Sequence, residues 1–246
     1  MIKDLLKTLK MNGAIEALPS LEKVKDKIQF LTGLLQSEIE YRDIRLVKRR
    51  LSQAKFPVEK EWCDIDQDLN PNIDFSLIMS LGDGEFINKR RNICLMGQQG
   101  TGKTHSLIAL GRQLCRSGIS VKFYTACELV NILEEAKIDH NLSKIMKSII
   151  KPQVLFIDEL GFVPFSENGA RLLFDVFATR YERGSIAVST NLSFDKWHQV
   201  FGAIELTAAL IDRFTHRCIV HTFQGKSVRL FEAKKNKIEK KEGEDL

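Results

Sequence analysis

Eight consecutive residues, Gly97-Gln98-Gln99-Gly100-Thr101-Gly102-Lys103-Thr104, match GxxxxGK[ST], and the chemistry of that pattern is the holding of phosphates. Glycines at 97, 100 and 102 let the backbone curl until successive amide hydrogens face one anion, and a helix opening after the loop adds partial positive charge. Lys103 is placed to reach β- and γ-phosphate oxygens, and the Thr104 hydroxyl to complete a Mg2+ shell. An ordinary glycine-rich strand-to-helix turn is the plainer alternative, and the full match in its context weighs against it.

Further along, Val154-Leu155-Phe156-Ile157 is an apolar run that ends on Asp158 and Glu159. A buried strand would carry both acids to the carboxyl edge of a sheet, where ligands of open α/β folds bind. Asp158 then suits a Mg2+ water shell, and Glu159 suits orienting and deprotonating an attacking water. Ile186–Val188 leads in the same way into Ser189-Thr190-Asn191, and Asn191 is placed to meet a γ-phosphate or the lytic water, or simply to cap a turn. Arg213, in Leu210-Ile211-Asp212-Arg213-Phe214, either pairs with Asp212 or Glu205 or reaches a neighbouring subunit's γ-phosphate.

These groups need elements to hold them. From Asn92 onward, apolar runs at Ile93–Met96, Val121–Tyr124, Val154–Ile157, Ile186–Val188 and Cys218–Val220 read as strands. Between them, Thr104–Arg116, Cys127–Ile138, Leu142–Ile150, Asn168–Arg183 and Glu205–Phe214 read as amphipathic helices. That alternation predicts an α/β fold with a parallel sheet covered on both faces. Upstream, Ile2 to about Gln53 has helical spacing throughout and predicts a small helical unit. Around Pro57 and Pro71 the pattern breaks among Asp and Asn, as in a surface linker. The expected domains are a helical one over 1–65, an ATPase over 66–232 and a charged, disordered tail over 233–246.

The 246 residues, 43% hydrophobic and 28% charged, suffice for one medium domain with an appendage. Apolar runs are short and lysines interrupt the N-terminal one, so a membrane span and a secretory signal are excluded and a cytoplasmic protein is expected. Five scattered cysteines exclude a zinc cluster and a disulfide framework. Residues 1–60 hold thirteen Lys or Arg against eight Asp or Glu, so this quarter carries the whole net charge of +5. A polyanionic partner for it is the consequence. Within it Arg42, Arg45 and Arg49 form one helical stripe, with Lys48 and Arg50 beside them.

Together, Leu95–His105, Phe156–Pro164, Arg180–Ser185, Ser189–Trp197 and Leu210–Phe214 resemble the IstB-like helper ATPases of bacterial insertion sequences, AAA+ proteins related to DnaC-type helicase loaders. The likeness extends upstream through Glu38–Arg50 and Asn70–Gly84. It implies an AAA+ P-loop NTPase with a helical N-terminal domain and no separate lid domain. It also implies ATP and Mg2+ as ligands, assembly into a homo-oligomer on duplex DNA, and delivery of that DNA to a partner transposase. Carried over by position, Gly97–His105 bind nucleotide with Arg229, Thr104 and Asp158 hold metal, and Lys103, Asp158, Glu159 and Asn191 serve catalysis. Arg213 is the first candidate for a trans arginine and Arg183 the second.

The helices between Thr125 and Val154 resemble the extra element of the initiator and loader branch. Two features depart from or qualify this picture. Gln98 and Gln99 stand where the family usually has two prolines, which loosens the loop without removing a phosphate ligand. The basic stripe, taken alone, reads as a solvated face pairing with Glu38 and Glu40; the resemblance favours DNA and hence salt-sensitive, sequence-independent binding. A helicase loader and an adaptor that binds ATP without hydrolysing it are the competing functions.

Overall fold

A small apolar core, a close glycine contact and one buried carboxylate organise the first fifty residues of the computed structural model, which describes residues 2–202 and 204–231. Three helices, α1 (Ile2–Thr8), α2 (Asn12–Leu21) and α3 (Lys27–Ala54), follow one another there. Leu6, Ala14, Leu18 and Leu34 form their core. α2 meets α3 at Gly13, where a Cβ would fall 2.6 Å from the Ser37 carbonyl oxygen. Glu38 of α3 is 4% exposed and accepts from the Gly13 and Ala14 amides at 2.8 and 3.2 Å, satisfying free donors at the start of α2. Burial alone would raise its carboxyl, but Arg42 and the two amides hold it below the usual range.

The chain divides after Ser52 into two compact units. The second continues through α4 (Phe75–Ser80) and α5 (Glu85–Asn88), then alternates β1 (Asn92–Gly97), α6 (Lys103–Arg116), β2 (Val121–Thr125), α7 (Ala126–Ile138), α8 (Leu142–Ile150), β3 (Val154–Leu160), α9 (Glu167–Arg180), β4 (Ser185–Thr190), α10 (His198–Phe201), α11 (Ile204–Thr215) and β5 (Cys218–Phe223). The five strands are parallel and lie in the order β2-β3-β4-β1-β5. β1, β3 and β4 are therefore the inner strands. Continuous apolar runs suit strands covered on both faces, and β4 is buried along its whole length. The expected parallel α/β sheet is present. All five cysteines are free thiols. Among the described residues no helix is long and apolar enough to cross a membrane.

Three expectations are corrected. The helix read as Asn168–Arg183 ends at Arg180. Arg180 is 1% exposed, and its guanidinium donates to the carbonyls of Ile149, Ile150, Pro152, Gln153 and Ser185, pinning the end of α8 and the turn before β3. Burial lowers its pKa to about 10. The stretch read as a surface linker is fastened to the second unit: Phe56 stacks against Phe123 at 5.7 Å, and Glu61 and Trp62 bond to α6. The division falls after Ser52, ahead of the expected boundary at 65, because those anchors belong to the second unit. The tail expected over 233–246 lies outside the described residues.

Candidate nucleotide-binding site

β1 delivers the loop. Gly97 closes the strand opposite Phe223 of β5, and Gly102 caps α6 in a left-handed conformation, φ 101°, that a side chain would strain. Gly100 also has positive φ and lies under Ser227, whose Oγ would sit 2.1 Å from a Cβ there. The Val228 amide donates to the Gly100 carbonyl at 2.9 Å, so the segment after β5 is laid over the loop. Lys103 is nearly buried, and its Nζ donates to the carbonyls of Gly97 and Gln98 at 2.7 and 2.6 Å. Burial lowers the Lys103 pKa, Asp158 opposes the shift, and the nearby charge of Arg229 adds to it. Thr101 Oγ1 donates to the Gln98 carbonyl at 2.9 Å, while the side chains of Gln98 and Gln99 are exposed.

β3 brings the acids to the same edge. Thr104 Oγ1 donates to Asp158 Oδ1 at 3.1 Å, and the Ser189 hydroxyl donates to that same oxygen. Ser189 Oγ in turn accepts from the Glu159 amide at 3.1 Å. Burial pushes the Asp158 carboxyl above its usual range, against the pull of the Ser189 and Thr104 hydroxyls. Glu159 differs from its neighbours. It is exposed between buried Asp158 and Leu160, with φ 59°. The register explains this: Ile157 pairs with Val188 but Leu160 with Thr190, so β3 carries one extra residue and bulges at the acid pair. A bulge turns one side chain out of the strand's alternation, and a non-glycine residue held at positive φ is the kind of strain that functional positions retain.

Asn191 follows β4 and is exposed, with Oδ1 3.3 Å from where Gly161 would carry a Cβ, two residues beyond Glu159. A cavity of about 300 Å3 is lined on one side by Gly100–His105 and Arg229, and on the other by Val58, Lys60, Asp64, Ile65, Asp66, Asn70 and Phe75. His105 joins the two sides, its Nε2 lying 2.8 Å from the Glu61 carbonyl oxygen. Sequence reasoning missed Ser189 and the whole second wall. The signal for Ser189 was its position in a strand-end run of three polar residues; the wall had none.

The two arginine candidates lie elsewhere. Arg213 is exposed, its guanidinium 5.7 Å from the Phe174 ring centroid, and it lines a hollow with Arg90, Arg217 and Asn92, the first residue of β1. Arg183 lines an adjoining open cavity of about 970 Å3, with Arg90 and Glu182. Neither lines the phosphate-loop cavity. No pairing of Arg213 with Asp212 or Glu205 is formed among the described residues: Asp212 is the adjacent helical position and faces away, and Glu205 lies about two turns along the same helix. Of the basic stripe, Arg42 is tied to Glu38 at 2.6 Å and Arg45 lies over the Tyr41 ring at 5.7 Å, whereas Lys48 and Arg49 are exposed and Arg50 half-buried.

Oxygen donors dominate the Thr104–Asp158 corner, which suits a hard cation such as Mg2+. Comparison with known proteins agrees with the loop and sheet. Residues 4–237 match the family of the IstB-like ATP binding protein. A protein of Geobacillus stearothermophilus described as an ATP-binding protein of insertion sequence IS5376 is 35% identical over 204 residues, 83% of this chain and 81% of the relative. The corresponding IS21 protein of Pseudomonas aeruginosa is 33% identical over 207 residues, 84% and 78% of the two chains. Among solved structures, DnaI superposes with a TM-score of 0.54 at 18% identity, covering 69% of this chain and 90% of its own. The DnaC helicase loader does so at 0.53 and 17%, covering 72% and 99%. The sheet is thus the AAA+ P-loop fold, and the chain belongs to the IstB-like family of ATP-binding proteins of insertion sequences.

Proposed function

We propose that the protein is a Mg2+-dependent ATPase that assembles with ATP on duplex DNA and hands that DNA to a partner transposase. The observation that carries the hydrolytic part is the acid pair on β3: Asp158 is buried and bonded to Thr104 of the phosphate loop, while the bulge exposes Glu159 beside it. Thr104 and Asp158 would hold Mg2+, whose charge offsets that of the β- and γ-phosphates. Lys103 binds the same phosphates, and the following helix start adds amide donors. Glu159 accepts the proton of the attacking water, and Asn191 holds that water or the γ-phosphate.

Arg213 lines a hollow at the start of β1, outside its own chain's phosphate-loop cavity, which supports a role at a neighbouring subunit's nucleotide; Arg183, in the adjoining cavity, is the alternative. Arg45, Lys48, Arg49 and Arg50, with Arg42, follow DNA phosphates without reading bases. Membership of a family of insertion-sequence proteins supports a transposase as the recipient.

The test is binding to random-sequence duplex DNA with ATP, with ADP and without nucleotide, read with particle size by light scattering. Large complexes formed only with ATP are expected. Absence of duplex binding in every nucleotide state would overturn the DNA-assembly reading and turn attention to a helicase partner.

A further inference from the structure

The wall of the nucleotide cavity facing the phosphate loop is a strap, residues 58–66, that contributes Val58, Lys60, Asp64, Ile65 and Asp66. The strap's only regular structure is a three-residue turn, Trp62–Asp64, with no buried residue, closed by the Glu61 amide donating to Asp64 Oδ2 at 2.9 Å. Its main fastening is Glu61, with the exposed Glu59 adding a longer ion pair, its Oε2 3.5 Å from Arg112 Nη2. Oε1 accepts from Arg112 Nε at 2.6 Å and Oε2 from Arg116 Nη1 at 2.8 Å, while a second Arg116 nitrogen bonds Oε1. The Glu61 carbonyl oxygen meets His105, and Trp62 Nε1 donates to Gln113 Oε1 at 2.7 Å. His105, Arg112 and Arg116 recur at helical spacing along α6, the helix that begins with Lys103. One rigid element therefore carries both the phosphate-binding lysine and the anchor of the opposite wall.

The anchor is strongly specified. Arg112 is 9% exposed, and a guanidinium so buried needs a carboxylate partner. No other role described above uses Glu61. We infer that Glu61 is a positioning residue for nucleotide binding: by clamping the strap to α6 it presets the wall that receives the base and sugar, while the phosphates are held independently by the loop. The inference rests on the ATP reading of this cavity. A preset wall lowers the ordering cost of binding, so loosening it weakens affinity for nucleosides without touching the acids that act on the phosphate.

The test titrates the full chain with MgATP, MgADP and Mg-tripolyphosphate by calorimetry, alongside kcat and KM, for the parent, Glu61→Gln, Glu61→Asp and Arg116→Lys. Glu61→Gln is expected to raise Kd for ATP and ADP about tenfold or more, the scale of a lost charged hydrogen bond. Tripolyphosphate affinity and kcat stay within about twofold of the parent, since loop and acids are untouched. Glu61→Asp and Arg116→Lys fall between. Trp62 fluorescence, assigned by comparison with Trp62→Phe, reports a looser strap in the free Glu61→Gln protein that nucleotide restores. Equal losses for ATP and tripolyphosphate, or unchanged ATP affinity, would overturn the inference. If Glu61→Gln does not fold, Arg116→Lys, at a half-exposed site, carries the same comparison. A parent protein that binds neither ATP nor ADP contradicts the ATP reading itself and the clamp with it, whereas a parent that binds both while the variants match it contradicts the clamp alone.

Discussion

The Ser189 hydroxyl on β4 donates to Oδ1 of Asp158 on β3, the oxygen that also receives the Thr104 hydroxyl of the phosphate loop. Two neighbouring strands and the loop thus converge on one carboxylate. Ser189 also accepts from the Glu159 amide at 3.1 Å, so it braces the bulge that exposes Glu159.

Ser189→Ala removes both supports and leaves the fold's core intact. Turnover is expected to fall about tenfold or more, the scale of a hydrogen bond to a charged group, with a higher Mg2+ concentration needed for half-maximal rate. A Mg2+ titration of steady-state ATP hydrolysis checks this; an unchanged curve contradicts the bracing role.

If the arginine acts on a neighbour's nucleotide as proposed, Arg213→Ala binds ATP like the parent yet fails to hydrolyse it. Mixing it with Lys103→Ala, which supplies an intact Arg213, should restore turnover on DNA although each variant alone is inactive. Without such rescue, the same mixing experiment with Arg183→Ala follows.

Glu38 is tied to the start of α2 and Arg42 to Glu38, so the basic stripe divides into paired and exposed members. Glu38→Gln should destabilise the helical unit by about 1–3 kcal/mol, since the Gly13 and Ala14 amides at the start of α2 lose a buried charged acceptor. Denaturant unfolding followed by circular dichroism measures it. Arg49→Ala, at an exposed position, should leave that stability unchanged and reduce the slope of log K against log salt for duplex DNA by about one.

Glu61 also gives a pH prediction. Hydrogen bonds from Arg116 outweigh burial, and with Arg112 they hold the carboxyl at about 2, below an ordinary value of 4.5. A depressed acid contributes stability that is full above the unfolded value and is lost as pH falls through the folded one. The stability gap between the parent and Glu61→Gln should therefore be constant from pH 7 to about 5 and close between about 4.5 and 2. Urea midpoints at three pH values within those limits measure the gap, and a gap that widened on acidification would contradict the clamp's charge state.

Much of this architecture was legible in the residues because parallel strands buried on both faces leave continuous apolar runs, and the glycine-lysine-threonine loop is a local pattern. What escaped depends on distant partners. The stretch around the strap reads as a linker because Pro57, Pro71 and several Asp and Asn punctuate it, whereas Glu61 and Trp62 find their partners more than fifty residues away. Helix α9 stops at Arg180 because that side chain turns in to five carbonyls, and nothing in its periodicity marks the turn. The exposure of Glu159 comes from a backbone bulge, visible only once β3 and β4 are paired.

The central claim is that Glu159, turned out of β3 beside a metal-binding Asp158, takes the proton of the attacking water. Single-turnover hydrolysis by Glu159→Gln, with ATP affinity measured on the same preparation, tests it most directly. Unchanged affinity with the hydrolysis step slowed about a hundredfold or more is the predicted result; hydrolysis at the parent rate would contradict it.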